Sequence, residues 1–81
     1  PDFGYPDGMC FGPDGYLWVA FWAGGCLRAF DSEAKLVRQI PLPINYPTKP
    51  AFDDVGNCYV TSASIADDCS DLDGFLLHVR L

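Results

Sequence analysis

Basic side chains are scarce in this 81-residue chain: five Lys plus Arg stand against eleven Asp plus Glu, so 5 − 11 = −6. That balance gives polyanion binding no electrostatic support, and nucleic acid is excluded as an expected partner. Long apolar runs are absent as well. The longest stretch without a charged side chain, Gly15 to Leu27, has thirteen residues, short of the roughly 20 apolar residues a membrane-spanning helix needs. His78 is the only His, and without a G-x-S-x-G elbow a Ser-His-Asp triad has no support. No Gly-rich loop followed by Lys is present to cradle a phosphate. Cys10, Cys26, Cys58 and Cys69 contain no C-x-x-C, which argues against a Cys-based zinc site. Nothing at the start has the basic region and apolar core of a signal peptide, and Pro1 stands where a Met is usual, so either processing or a piece of a longer polypeptide is expected.

The four Cys allow two disulfides in any of three connectivities. Four in 81 is about half the density of a dedicated disulfide scaffold, and a free Cys serves as a small buried hydrophobe. Reduced thiols are therefore expected over disulfides, and with them a cytoplasmic location.

What is abundant points to a packed core. The chain is 49% hydrophobic and 15% aromatic, enough apolar surface to offset chain entropy. Length permits one small domain, yet a chain of this size buries only roughly 60% of its unfolded surface and is marginal without staples, metal or neighbouring protein. Ten of the eleven acids are Asp, and eight Gly and seven Pro accompany them, which is the usage of turns rather than helices. Turn signals at Pro13-Asp14-Gly15, Gly24-Gly25, Ser32-Glu33-Ala34-Lys35 and Asp53-Asp54-Val55-Gly56 separate short aromatic and β-branched segments, so an all-β fold is predicted. Tyr16 to Trp22 is bulky on both alternate sets, as in a strand covered on both faces. Pro41-Leu42-Pro43 and Tyr46 to Pro50 lack backbone donors and are expected at connections or sheet edges.

Sliding the chain along itself reveals a repeat. An offset of forty-one sets Pro6 on Pro47, Phe11 on Phe52, Gly15 on Gly56 and Val19 on Val60, with Trp18 over Tyr59. After an eight-residue insertion, an offset of forty-nine sets Gly25 on Gly74 and Leu27 on Leu76, with Phe30 over Val79. Each copy reads as strand, Gly turn, apolar strand, Gly turn, third strand, and the first copy adds a fourth near residues 36–42. Units of about four strands every ~40 to 50 residues are the pattern of a β-propeller, whose blades bury their faces against one another. A two-sheet sandwich is the alternative. Blade one spans about 6–43 and an incomplete blade two about 47–81.

The run Pro6-Asp7-Gly8-Met9-Cys10-Phe11-Gly12-Pro13-Asp14-Gly15-Tyr16-Leu17-Trp18-Val19-Ala20, with Trp22-Ala23-Gly24-Gly25 and Leu27-Arg28-Ala29-Phe30-Asp31, closely resembles the SMP-30/gluconolactonase/LRE-like family. The resemblance resumes at Ile40-Pro41-Leu42-Pro43, Pro47-Thr48, Ala51-Phe52 and Tyr59-Val60-Thr61-Ser62-Ala63. It implies a six-bladed propeller, of which this chain supplies about two blades from the C-terminal portion. It also implies one divalent cation (Ca²⁺, Mg²⁺, Mn²⁺ or Zn²⁺) at the channel mouth, held by Glu, Asn and Asp side chains, and hydrolysis of sugar lactones or related cyclic esters. The Asp of P-D-G-M is one of those ligands and here is Asp7, expected just before the first strand of its unit, nearest the axis, and also a candidate base for water. The Glu and Asn ligands have no counterpart in this chain, so it is expected to be inactive alone. An ordinary turn is the plain alternative for Asp7-Gly8.

Other constellations carry less. Asp67, Asp68, Asp71 and Asp73 precede Gly74, but an EF-hand loop with Gly74 at its sixth position needs an acid where Cys69 stands and a Glu where Arg80 stands; a solvated loop is expected. His78 reads as a packed or surface side chain. Trp18, Phe21, Trp22 and Phe30 read as blade-to-blade packing rather than a ligand pocket, and Cys10 as a small buried residue without thiol chemistry. The rival functional class is a non-enzymatic calcium-binding or scaffold propeller, completed by further blades or by self-association.

Overall fold

A computed structural model describes residues 3–63 and 76–80 of the chain. It contains seven strands: β1 (Tyr5–Phe11), β2 (Leu17–Trp22), β3 (Cys26–Phe30), β4 (Leu36–Pro41), β5 (Pro47–Phe52), β6 (Cys58–Ser62) and β7 (Leu77–Val79). All pairings are antiparallel, and the strands form two sheets in sequence order, β1-β2-β3-β4 and β5-β6-β7. The described residues include no helix long and apolar enough to cross a membrane.

The turns form where their chemistry predicts. Asp31 Oδ1 accepts the amides of Glu33 and Lys35 (both 2.9 Å), and Asp53 Oδ1 accepts those of Val55 and Asn57 (3.0 and 2.8 Å). Such side-chain capping adds to the backbone bonds that close each loop, from Ala34 to Asp31 and from Gly56 to Asp53. The hydrogen bond from the Asn57 side-chain amide also holds the Asp53 carboxyl below its usual range, with backbone amides adding to the effect. Each of three turns then places its fourth residue in the left-handed region: Gly15 at φ 85°, Gly56 at φ 88° and, unusually, Ala34 at φ 62°.

The internal repeat is a repeat of register. Adding 41 to both members of Pro6↔Phe21, Met9↔Val19, Cys10↔Trp18 and Phe11↔Leu17 gives Pro47↔Ser62, Pro50↔Val60, Ala51↔Tyr59 and Phe52↔Cys58. Even the interruption recurs, between Pro6 and Met9 in one sheet and between Pro47 and Lys49 in the other. On the far side of the insertion, Val19↔Arg28 and Trp18↔Ala29 become Val60↔Leu77 and Tyr59↔His78. Neither sheet exchanges a strand with the other, as a Greek-key sandwich would require, so the two are successive blades.

One face of the first sheet packs on the facing side of the second. Trp18, Ala20, Leu27 and Ala29 meet Cys58 and Val60, and Ile44 fills the seam from the connection between β4 and β5. Trp18 is fully buried with its ring 6.0 Å from that of Phe52, while its indole Nε1 donates to the Asp14 carboxylate at 3.3 Å. The prolines fall where missing donors are tolerated: β5 is a sheet edge, and Pro47 and Pro50 turn their rings into the seam. The opposite face of the first sheet gathers Val19, Phe21 and Cys26, with Leu17 and Phe30 against them. β2 is therefore covered on both sides, as its double apolar pattern predicts. Arg28, only 5% exposed, lies on this second face with its guanidinium 3.7 Å from the Phe3 ring centroid and 4.3 Å from that of Phe21, donating to the Phe3 carbonyl (2.8 Å) and Gln39 Oε1 (3.2 Å).

Cys10, Cys26 and Cys58 are free thiols; Cys69 and the acidic loop lie outside the described residues. Burial, and secondarily the Cys10 thiol, push Cys58 up to about 11.

Four outcomes follow for the full-length protein. Added to Gly15, a Cβ meets open space, so Gly15→Ala reports backbone strain alone and lowers stability by about 1 kcal/mol, while Ala34→Gly raises it by about 0.5 kcal/mol; urea midpoints check both. At Gly8 an added Cβ comes within 2.6 Å of the Thr48 carbonyl oxygen, so Gly8→Ala forces the two blades apart and costs roughly 1–3 kcal/mol. Because the unfolded Cys58 thiol releases its proton near pH 9 and the folded one near 11, its contribution is complete below pH 9 and is lost as pH rises toward 11. The alkaline fall in urea midpoint is shallower in Cys58→Ala.

Candidate functional site

The two sheets have distinct ends. At one, the turns 12–16 and 53–57 join β1 to β2 and β5 to β6; at the other, β1 and β5 begin and β2 and β6 finish. Asp7 belongs to the second end. It lies within β1 rather than ahead of it, at the break in pairing between Pro6 and Met9. The reason is local: Pro6 has no amide to donate and two residues are passed over by the ladder there, which is how a bulge re-aims a side chain. Asp7 is exposed at this break.

Gly8, the next residue, explains how a second strand comes so near. An added Cβ would stand 2.6 Å from the Thr48 carbonyl oxygen and from Lys49 Cβ. Only a residue without a side chain permits that approach between the neighbouring β1 and β5. By the 41-residue repeat Thr48 is the counterpart of Asp7, and Lys49 of Gly8. Thr61 Oγ1 donates to the Lys49 carbonyl at 3.3 Å, which leaves Thr48 Oγ1 to donate in its 2.6 Å contact with Thr61 Oγ1. An aromatic wall flanks the same end: Tyr5 pairs with Trp22 across the ladder, their centroids 6.4 Å apart, and Trp22 lies 4.7 Å from Tyr46.

The other sequence candidates fall elsewhere. His78 is exposed on β7, stacked on Tyr59 with centroids 5.1 Å apart and 3.3 Å from Asn57 Oδ1 through Nε2. It borders an open recess with Gly56, Asn57 and Arg80 at the turn end, away from Asp7. Trp18, Phe21 and Phe30 are packing residues, and Trp22 packs on Tyr46. Cys10 faces the seam opposite Trp18; burial raises its thiol, and the Lys49 charge partly offsets this. Among the described residues no three His, Cys, Asp or Glu side chains converge as a metal-binding group. Thr48, Thr61 and Lys49 were not evident as site residues from composition or motif; the repeat that aligns Thr48 with Asp7 is the signal that finds them.

Comparison with known proteins agrees with this architecture. Residues 1–64 match the SMP-30/Gluconolactonase/LRE-like region. Regucalcin from Xenopus laevis is 43% identical over 65 residues, which cover 76% of this chain and 22% of that protein. Pentonolactonase XacC from Haloferax volcanii is 34% identical over 73 residues, covering 88% and 25%. The crystal structure of regucalcin from Agrobacterium tumefaciens, described as a calcium-binding protein, superposes with a TM-score of 0.79 at 25% identity, covering 91% of this chain and 28% of its own. The chain thus spans about a quarter of the length of these relatives, and its two sheets correspond to neighbouring blades of their propeller fold. On the family match, the sequence identity and the superposed fold together, the chain belongs to the SMP-30/gluconolactonase/LRE-like family.

Proposed function

We propose that this chain is part of a divalent-metal-dependent lactonase acting on sugar lactones or related cyclic esters, and that Asp7 contributes both a cation ligand and a base. The observation that carries the reading is the exposed Asp7 carboxylate at the bulge of β1, beside a second blade brought close by Gly8. Family membership and a pentonolactonase among the relatives support it.

A carboxylate is a hard oxygen donor, the ligand type that Ca²⁺, Mg²⁺ and Mn²⁺ prefer. The described residues supply this one donor and not a complete set, so the remaining ligands are assigned to other blades and the isolated chain to an inactive state. A divalent cation, when bound, supplies Lewis-acid polarisation of a carbonyl and a lowered pKa for water. Asp7 accepts the proton of the attacking water as it adds to the lactone carbonyl carbon. The ring C–O bond then breaks, and the departing alkoxide takes up a proton to give the open hydroxy acid. The Tyr5–Trp22 wall offers an apolar flank for the sugar ring.

A second reading is a calcium-binding protein without turnover, favoured by the description of the Agrobacterium tumefaciens neighbour. Both readings use a cation at Asp7, and turnover separates them. In the full-length protein, Asp7→Ala is expected to abolish lactone hydrolysis and weaken cation binding, and Asp7→Asn to lower kcat by about a hundredfold or more through loss of the base. Steady-state hydrolysis and calorimetric titration with Ca²⁺ read the two effects; normal turnover in Asp7→Ala removes the residue from the site.

A further inference from the structure

We infer that Lys49 recognises an anionic group on the substrate, so that the preferred lactone carries a carboxylate or similar anion besides its ring ester; this rests on the lactonase reading above. Lys49 is the only basic residue in β1 and β5. It takes the repeat position of Gly8, and its stem runs beside that glycine, with Cβ and Cγ 2.6 and 2.8 Å from where a Gly8 Cβ would stand. Consecutive Cα atoms are about 3.8 Å apart, so the lysine stem starts next to the residue that adjoins Asp7. Its side chain is exposed, its charge reaches the Cys10 thiol of β1, and its backbone carbonyl is fastened by Thr61 Oγ1 at 3.3 Å.

The other basic groups of the described residues are engaged or distant. Arg28 is buried between Phe3 and Phe21, Arg38 lies over Trp18 with its guanidinium carbon 5.6 Å from the ring centroid, Lys35 sits in the turn capped by Asp31, and Arg80 borders the recess at the turn end. Among the described basic residues only Lys49 runs its stem beside Gly8, the chain neighbour of Asp7. An ammonium on a flexible four-carbon stem is a hydrated point charge that reaches carboxylate, sulfonate or phosphate oxygens. Neutral sugar hydroxyls need no cation. In a chain of net charge −6, an approaching anionic substrate meets long-range repulsion, and the lysine charge on β5 offsets it.

The test uses the full-length protein with its divalent cation, comparing D-glucono-1,5-lactone, which is neutral, with D-glucaro-1,4-lactone, which carries a carboxylate. The ratio of kcat/KM for the anionic over the neutral lactone is expected to fall about tenfold or more in Lys49→Met. In Lys49→Arg it stays within about threefold, because the charge is retained. The KM for the anionic lactone rises with added salt in the wild type and does not rise in Lys49→Met, where salt screens only repulsion. A wild type that opens both lactones, with an unchanged ratio in Lys49→Met, overturns the role of Lys49 and leaves the lactonase reading standing. A wild type that opens neither overturns that reading, and this inference with it.

Discussion

The structure depends on the seam between the two sheets. Neither sheet has an apolar partner of its own, since each is a single layer with side chains on both sides, and a lone layer of three or four strands leaves half its nonpolar surface in water. Trp18, Leu27, Ile44, Cys58 and Val60 become fully or nearly fully buried because the back of one layer closes on the front of the next. Each large side chain so covered contributes about 1.5–3 kcal/mol. The front of the first sheet, with Val19, Phe21 and Cys26, repeats the chemistry of the face that β6 presents to the seam. Repetition thus implies a further layer against that front face, and Arg28, where the second sheet has Leu77, gives it a cationic centre.

The proposed site lies along the same seam. The β1 bulge frees Asp7 from the ladder, the missing side chain of Gly8 admits β5, and β5 brings Thr48 and Lys49 to the same end. No single strand holds these groups; adjacency of blades does. On the proposed reading the remaining cation ligands come from other blades. Equivalent bulges on the two blades carry different side chains, here Asp7-Gly8 and Thr48-Lys49.

Much of this was legible in the residues. Turn chemistry located the hairpins, the double apolar pattern of 17–22 marked a strand covered on both faces, and the 41-residue offset anticipated pairings that hold residue for residue. The family resemblance supplied Asp7. What periodicity did not reveal came from contacts across the repeat. Asp7 was expected ahead of the first strand of its unit, whereas the ladder pairs Pro6 before it and Met9 after it, so the strand includes it. Ile44 and Tyr46 sit in a proline-flanked connection yet are 2% and 6% exposed, since the chain must cross the seam to pass from β4 to β5. Arg28 has no sequence signal for burial. Its environment is built by Phe3, twenty-five positions away, and two aromatic faces stand in for a carboxylate.

The two second hairpins differ in length. Between the paired residues Val19 and Arg28 lie 8 residues, and between Val60 and Leu77 lie 16, yet the ladders on either side match. Doubling the length of a connection adds only about 0.6 kcal/mol of closure entropy. The ladder register is therefore set by the paired strands and not by the number of residues that join them.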